Sequence, residues 1–223
     1  MSRSTQPPSG SWSEVAQHLR EGARLRAQLP PERVALQHEV LRLAGRVHGR
    51  RALDVGCGTG ALARQLAADG AQVFAIDVSP AAVHAADHDA KESGESPLPE
   101  FAVADLLAPS SLPKGPFDLV TCVLALDESA EPERALQVAA KLLHPRGRLV
   151  LALEHPWRAD VRARVGPLSS LPSLLAALRA AGLRLIDAAE PEPPGAPRGE
   201  PPHHLVIAAE RTSKRPRNRG TSR

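Results

Sequence analysis

Asp54, Gly56, Gly58 and Gly60 stand at alternate positions in the stretch LDVGCGTG, residues 53–60. Apolar residues run straight into it, and a helical pattern, ALARQLAADG, leaves it. The stretch reads as a buried parallel strand, a tight glycine turn and a helix N-terminus. Glycines suit such a turn because a Cβ would block the approach of a ligand to the backbone and would penalise positive φ. Asp77 ends the next apolar run, QVFAID, about twenty residues downstream, where a carboxylate reaches the hydroxyls of a bound ribose. Together these signals predict a nucleoside-containing cofactor. Two kinds fit. A dinucleotide fingerprint runs as Gly56-x-Gly58-x-x-Ala61, alanine being allowed at the third position. Asp54 argues against it by placing a carboxylate near the mouth where a pyrophosphate would lie, whereas a cationic ligand would welcome that charge.

Other reactive residue types lie further along. His155, in Glu154-His155-Pro156-Trp157, follows the fifth strand pattern and is the candidate general base, with Trp157 as an apolar wall. Asp127 and Glu128 follow the fourth strand and are candidates for holding a cationic or amino acceptor. Each has an ordinary alternative: a rim histidine with a structural hydrogen bond, and surface acids at a helix cap. No histidine shows a metal-ligand spacing with a cysteine or acid, and no metal is expected. Cys57 and Cys122 make neither a metal pair nor a disulfide framework, which predicts reduced thiols and a cytoplasmic setting.

The elements that must position these residues alternate. Strand patterns fall at 72–76, 100–104, 117–123 and 148–153, and helical ones at 61–69, 80–91, about 132–144 and 171–181. Ser79-Pro80 is an N-cap followed by proline at the first helical position, and Pro132 repeats the device. The pattern predicts an α/β fold, a doubly wound, mostly parallel sheet with its crevice at the strand C-termini. Two further strand patterns, 183–191 and 203–210, are separated by six prolines in the twelve residues from Pro191 to Pro202. No helix fits between them, so they form a C-terminal antiparallel hairpin. Ahead of the glycine loop, Ser11 and Glu14 start a helix that Pro30-Pro31 ends. A second helix carries Val34, Val40, Leu41, Ala44 and Val47, with Gly49 behind it. These two helices either cover the cofactor mouth or pack on the sheet flank. The expected division is a disordered 1–10, helices over 11–49, a cofactor-binding domain over 50–210 and a disordered basic tail over 211–223.

The net charge of +3 over 223 residues conceals an asymmetry: residues 211–223 carry six Lys and Arg and no acid, leaving −3 for the rest. A nucleic-acid enzyme would show a basic folded face, and only the tail offers one. With no tyrosine, three phenylalanines and two tryptophans, stacking platforms for single strands are scarce as well. No apolar run approaches the length of a membrane span.

In order and spacing, residues 50–210 resemble the class I S-adenosylmethionine-dependent methyltransferases. The resemblance implies a Rossmann-like methyltransferase fold, a seven-stranded sheet whose last strand inserts against the others. It implies S-adenosylmethionine as cofactor, with Asp54, Gly56, Cys57, Gly58 and Gly60 at its methionyl and ribose portions. Asp77 would then hold both ribose hydroxyls and Val78 would pack on the adenine. Asp105 would accept from the adenine amine, with Ala104 and Leu106 completing the slot, and the Val123 carbonyl would meet the ammonium. The implied reaction is in-line methyl transfer to a small-molecule oxygen, nitrogen or carbon acceptor. It is driven mainly by orientation, worth roughly 7–11 kcal/mol, and needs a base only for a protonated acceptor.

The chain also departs from the family. Asp127 and Glu128 stand where many members carry histidine, and Arg146 takes the place of a second glycine in LLHPRGRLVLAL. The seventeen residues from Glu154 to Ser170 are short for a substrate lid. The pocket is therefore open, or closed by the N-terminal helices or by a second copy in a homodimer. Asn-Pro-Pro-aromatic and Pro-Cys signatures of base methylation are missing. Three alternatives stand beside this reading: a cofactor-binding partner subunit of weak activity, an RNA methyltransferase guided by the tail, and an NAD(P)-dependent oxidoreductase. The last lacks a Tyr-x-x-x-Lys pair, since the chain has no tyrosine.

Overall fold

The computed structural model describes residues 30–94, 96–127, 129–158, 168, 170–196 and 202–213. The expected disorder of residues 1–10, the helix starting at Ser11, the candidate Glu128 and the tail beyond residue 213 lie outside the described residues. Seven strands form one sheet: β1 (Arg51–Val55), β2 (Gln72–Asp77), β3 (Glu100–Val103), β4 (Phe117–Val123), β5 (Leu143–Glu154), β6 (Leu183–Ala189) and β7 (His204–Arg211). Their order is β3-β2-β1-β4-β5-β7-β6. The first five are parallel, and β7 enters antiparallel between β5 and β6. The predicted hairpin is present, and its second strand takes the inner position. Strand order reverses between β1 and β4, which opens a crevice at their carboxyl ends.

Helices α1 (Pro31–Ala44), α2 (Ala61–Ala68), α3 (Pro80–Glu92), α4 (Pro132–Leu142) and α5 (Leu171–Ala180) cover the sheet. Alternation along each strand divides the core in two. Leu53, Val120 and Leu151 pack with Leu136 of α4 and Leu174 of α5. Ala52, Leu119 and Val150 pack with Val40 of α1 and Leu66 of α2 on the opposite face. The central strands are buried on both sides, hence their continuous apolar runs. Ser79 caps α3 by accepting the Ala82 amide at 3.3 Å, ahead of proline at N1.

Three boundaries differ from the sequence reading. The tail expected to start at residue 211 starts later, because Arg211 ends β7 and pairs with Leu183 of β6. The second N-terminal helix ends at Ala44, not near Val47, because Gly45 turns out of it at φ 72°. Val47 is buried beyond the helix end, and Val34, in the predicted apolar stripe, is 53 % exposed. This helix packs on the flank through Leu36, Val40 and Leu43. The fifth strand begins at Leu143 rather than Arg148, pairing Leu143 with Phe117 before a register shift brings Arg148 beside Leu119. Arg146 sits inside that irregular stretch at φ 66°.

Candidate functional site

The loops leaving β1, β2, β3 and β4 enclose a cavity of about 530 Å³, the size of a small-molecule pocket, roughly 300–1,000 Å³. Val55 and Gly56 supply one wall, Asp77 and Val78 the next, and Ala104 to Leu107 a third. Val123 to Leu126, Ser129, Ala130 and Ala135 close it on the β4 side. Seven of the residues that the resemblance singles out (Gly56, Asp77, Val78, Ala104, Asp105, Leu106 and Val123) thus line one cavity, and Asp54, Cys57, Gly58 and Gly60 do not.

The three glycines of the loop have different jobs. A Cβ on Gly56 would lie 2.3 Å from the Ala125 Cβ, and one on Gly60 would lie 2.7 Å from the Phe101 ring. Both are required by the protein's own packing. A Cβ on Gly58 would meet nothing within 4 Å, and its φ is +54°, so Gly58 alone leaves open space beside the backbone. Of the three, it is Gly56 that lines the cavity.

Asp77 is fixed from both sides. Its Oδ2 accepts the Gly58 amide and its Oδ1 accepts the Ser79 amide, each at 2.9 Å. These bonds orient the carboxylate at the end of β2 and tie it to the glycine loop, while each oxygen keeps a lone pair for a further donor. Asp105 is exposed and accepts the Leu107 amide at 2.8 Å, so it shapes its own turn while lining the cavity. Val78, 57 % exposed, offers the apolar surface expected beside Asp77.

Asp54 is a correction. It does not stand at the mouth: it is 2 % exposed, because strand alternation turns it to the same sheet face as Ala52. Its Oδ1 accepts from the Thr121 hydroxyl at 2.6 Å, and its Oδ2 is buried with no hydrogen-bond partner. Burial raises its pKa to about 7, with a smaller push from the Asp77 charge, against the lowering effect of the Thr121 bond. Sequence reasoning passed over Thr121, although it is the polar residue directly beside Asp54 in the neighbouring strand. The thiols are inert: burial, reinforced by the Asp54 charge, pushes Cys122 up to about 12 and raises Cys57 well above the usual thiol range. Both are free, and Cys57 is partly buried at the base of the loop.

The structure does not place His155 as a base. Its ring is completely buried, its Nε2 lies 3.1 Å from Glu190 Oε1, and its Nδ1 accepts the Trp157 amide at 3.2 Å. Both nitrogens are engaged, and the ring does not line the cavity. Chain direction explains this: β5 ends beneath the β6–β7 connection, which folds Glu190 onto the histidine. Trp157 stacks edge-on against that ring, 5.2 Å between centroids, and is also away from the cavity. Asp127 accepts the Glu154 amide at 3.1 Å and ties the end of β4 to β5 rather than facing the pocket. Among the described residues, no group of three or more His, Cys, Asp or Glu gathers as a metal site, and no helix is long and apolar enough to cross a membrane.

The sheet order, the reversal between β1 and β4 and the acid-tipped second strand define a Rossmann-like cofactor-binding protein. Residues 53–151 match the model of the family described as a methyltransferase domain. The chain is 40 % identical over 105 residues to the ubiquinone biosynthesis O-methyltransferase of Xanthomonas oryzae pv. oryzae (strain PXO99A), covering 47 % of this chain and 43 % of that protein. The match thus spans less than half the length of that curated relative. Among solved structures, an S-adenosylmethionine-dependent methyltransferase from Mesorhizobium loti superposes with a TM-score of 0.65 at 24 % identity, covering 79 % of this chain and 96 % of that one. The magnesium protoporphyrin IX methyltransferase of Synechocystis PCC 6803 with bound SAH gives 0.66 at 22 % identity, covering 90 % and 99 %. These two share the fold. Over residues 53–151 the chain is thus similar to methyltransferase domains, and its fold is that of these two S-adenosylmethionine-dependent and protoporphyrin methyltransferases.

Proposed function

We propose that the chain binds S-adenosylmethionine in the 530 Å³ crevice and transfers its methyl group to a small-molecule acceptor, at oxygen first among oxygen, nitrogen and carbon. The observation that carries this reading is the Asp77 carboxylate, held by the Gly58 and Ser79 amides at the edge of the cavity, where it can accept two ribose hydroxyls. Val78 and Leu106 flank an apolar slot for the base, with Asp105 at its rim. The Val123 carbonyl at the end of β4 suits an ammonium. The name of the Xanthomonas relative supports the preference for oxygen.

S-adenosylmethionine brings a methyl group already activated on a sulfonium. The work left to the chain is to hold two reactants in line and exclude water, which orientation alone rewards. His155 is engaged elsewhere, so the base role is withdrawn from it. We assign cofactor binding to residues 50–210 and treat the N-terminal helices and basic tail as flanking segments. A dinucleotide would bring its pyrophosphate into a crevice lined by the carboxylates of Asp77 and Asp105, which disfavours the oxidoreductase alternative.

Calorimetric titration with S-adenosylmethionine and, separately, with reduced nicotinamides tests the reading. Saturable binding of the methyl donor that is lost in Asp77→Ala is the expected result. Binding of a nicotinamide alone would overturn it. Binding without turnover over a panel of phenolic, amine and carbon acceptors would favour the partner-subunit alternative.

A further inference from the structure

Asp54 is a carboxyl group with one oxygen bonded and one left over. Its Oδ1 lies 2.6 Å from the Thr121 hydroxyl, and the same hydroxyl lies 3.5 Å from the Leu53 carbonyl. Thr121 has a single proton to donate. When Asp54 is ionised, that proton goes to Oδ1. When Asp54 carries its own proton on Oδ1, it donates to Thr121, and the threonine turns to the Leu53 carbonyl. The pair therefore has two hydrogen-bonded arrangements within one heavy-atom geometry. The unpartnered Oδ2 sets the balance, because a buried anionic oxygen without a donor is costly whereas a neutral carbonyl oxygen is much less so.

Among the described residues, no cation stands among the groups that act on Asp54. Asp77 of β2 adds negative charge, and the two titratable neighbours Cys57 in the loop and Cys122 of β4 are both held as neutral thiols. On its own sheet face the covering helices contribute apolar side chains, Val40 from α1 and Ala63 and Leu66 from α2. Yet the next two residues, Val55 and Gly56, line the cofactor cavity, as does Val123, two residues beyond Thr121. Asp54 does not itself line the cavity, but the charge of Asp77, which does, already acts on it, so a cation held in the cavity acts on Asp54 with the opposite sign.

Resting on the cofactor reading above, we infer that Asp54 is protonated in a substantial share of the free protein at neutral pH and gives up that proton to solvent when the cationic end of S-adenosylmethionine enters the cavity. Binding of the cofactor and ionisation of Asp54 are then one coupled event, with Thr121 as the positioning residue that turns from Leu53 to Asp54. The coupling favours ligands that bring positive charge, since a neutral ligand leaves the proton in place.

Calorimetry of the full chain with S-adenosylmethionine, repeated in buffers of different ionisation enthalpy, counts the protons released. At pH 7 about half a proton per ligand is expected, and affinity should fall roughly five- to tenfold from pH 8 to pH 6. Asp54→Asn should abolish both the release and the pH dependence and bind at every pH as the parent does in acid. Thr121→Val, which removes the donor favouring the anion, should move the midpoint of the affinity profile to higher pH, and Thr121→Ser should restore it. Binding with no proton release and a flat profile would overturn the inference while leaving the cofactor reading intact. Failure of S-adenosylmethionine to bind at any pH would overturn both.

Discussion

Two stretches of the same rim behave in opposite ways. At the carboxyl ends of β1 to β4, the chain leaves a cavity whose walls are apolar side chains, backbone and two aspartates. Where β5, β6 and β7 meet, it gathers His155, Trp157, Arg158, Glu190, His203 and His204. There it uses them on one another: Glu190 on His155, Trp157 against the same ring, and Arg158 donating to His203 at 3.2 Å. Burial, aided by the charges of Arg33, His203 and Arg158 and opposed by Glu32, lowers His204 to about 4, so it is neutral at ordinary pH. A wider groove of about 670 Å³ beside this cluster, between α1 and the β6–β7 connection, shares no lining residue with the first cavity. Side-chain types that advertise chemistry collect in the structural corner. The region with room for a reactant advertises itself through glycines and strand ends.

The sharpest way to break that contrast is to remove one acid from the open region. Asp77→Ala deletes the acceptor of two backbone amides and of the expected ribose hydroxyls. Bonds to a charged partner are worth about 1.5–3 kcal/mol each, so S-adenosylmethionine affinity should fall at least roughly 100-fold, read by calorimetry. The matching change in the closed region is His155→Ala. Losing a completely buried ring and its two bonds should cost on the order of 3 kcal/mol of stability in denaturant unfolding, with cofactor affinity held within about twofold. A folded His155→Ala protein that binds normally and loses catalysis would return the base role to His155 and erase the distinction between the regions.

Asp54 tests the contrast by pH. Its folded-state pKa is raised from 3.8 to about 7, so the folded form binds the proton more tightly than the unfolded one. The associated stability is fully present below about pH 4 and is lost as pH rises to 7, at up to about 1.4 kcal/mol per pH unit. Asp54→Asn should therefore gain on the parent steadily between pH 4 and 7, by a few kcal/mol in total, and hold that margin above pH 7. Chemical denaturation of both proteins across this range measures the difference directly. A constant difference would mean that Asp54 is ionised throughout.

Much of this was legible in the sequence, and the reason lies in which residues carried the signal. The strand-loop-helix at 53–68 is written in backbone requirements: apolar residues before the turn, glycines in it, alanine and leucine after. Backbone requirements translate directly into position. The proline-rich separation of β6 and β7 worked likewise, since it forbade a crossover helix. His155 failed for a different reason. Its role depends on Glu190, 35 residues away, and no local pattern announces that the two will meet. Asp54 failed in part because its strand position was clear but the sheet face it points to was not, until Thr121 came beside it from β4. Val47 misled because apolar spacing continued past Gly45, which ends the helix, and Val34 because spacing alone does not tell that the first turn of that helix leaves it exposed.

Within the glycine loop the comparison can be drawn over two residues. Gly56→Ala must push aside Ala125, an overpacking that costs about 1–3 kcal/mol and should appear first as a lower unfolding midpoint. Gly58→Ala meets nothing and pays only for its positive φ, about 1 kcal/mol, so its larger effect should be on ligand binding. Equal stability losses in the two variants would show that the open space at Gly58 has no special standing.

The smallest effect is expected at Arg146, far from either region. Its φ of 66° places an unbranched but Cβ-bearing residue in left-handed backbone, which costs roughly 1–2 kcal/mol. Next to it, Gly147 has no choice: a Cβ there would lie 2.9 Å from the His144 carbonyl oxygen and 3.0 Å from that of Phe117. The turn thus needs its glycine at 147 and merely tolerates the arginine at 146. Arg146→Gly should relieve the strain while giving the unfolded chain extra freedom worth about 0.4–1 kcal/mol. The net gain is then up to about 1 kcal/mol, with no change in S-adenosylmethionine affinity. A loss of stability instead would mean that the arginine side chain makes up for its own backbone, and that the departure from glycine at this turn is a feature of the fold rather than a tolerated cost.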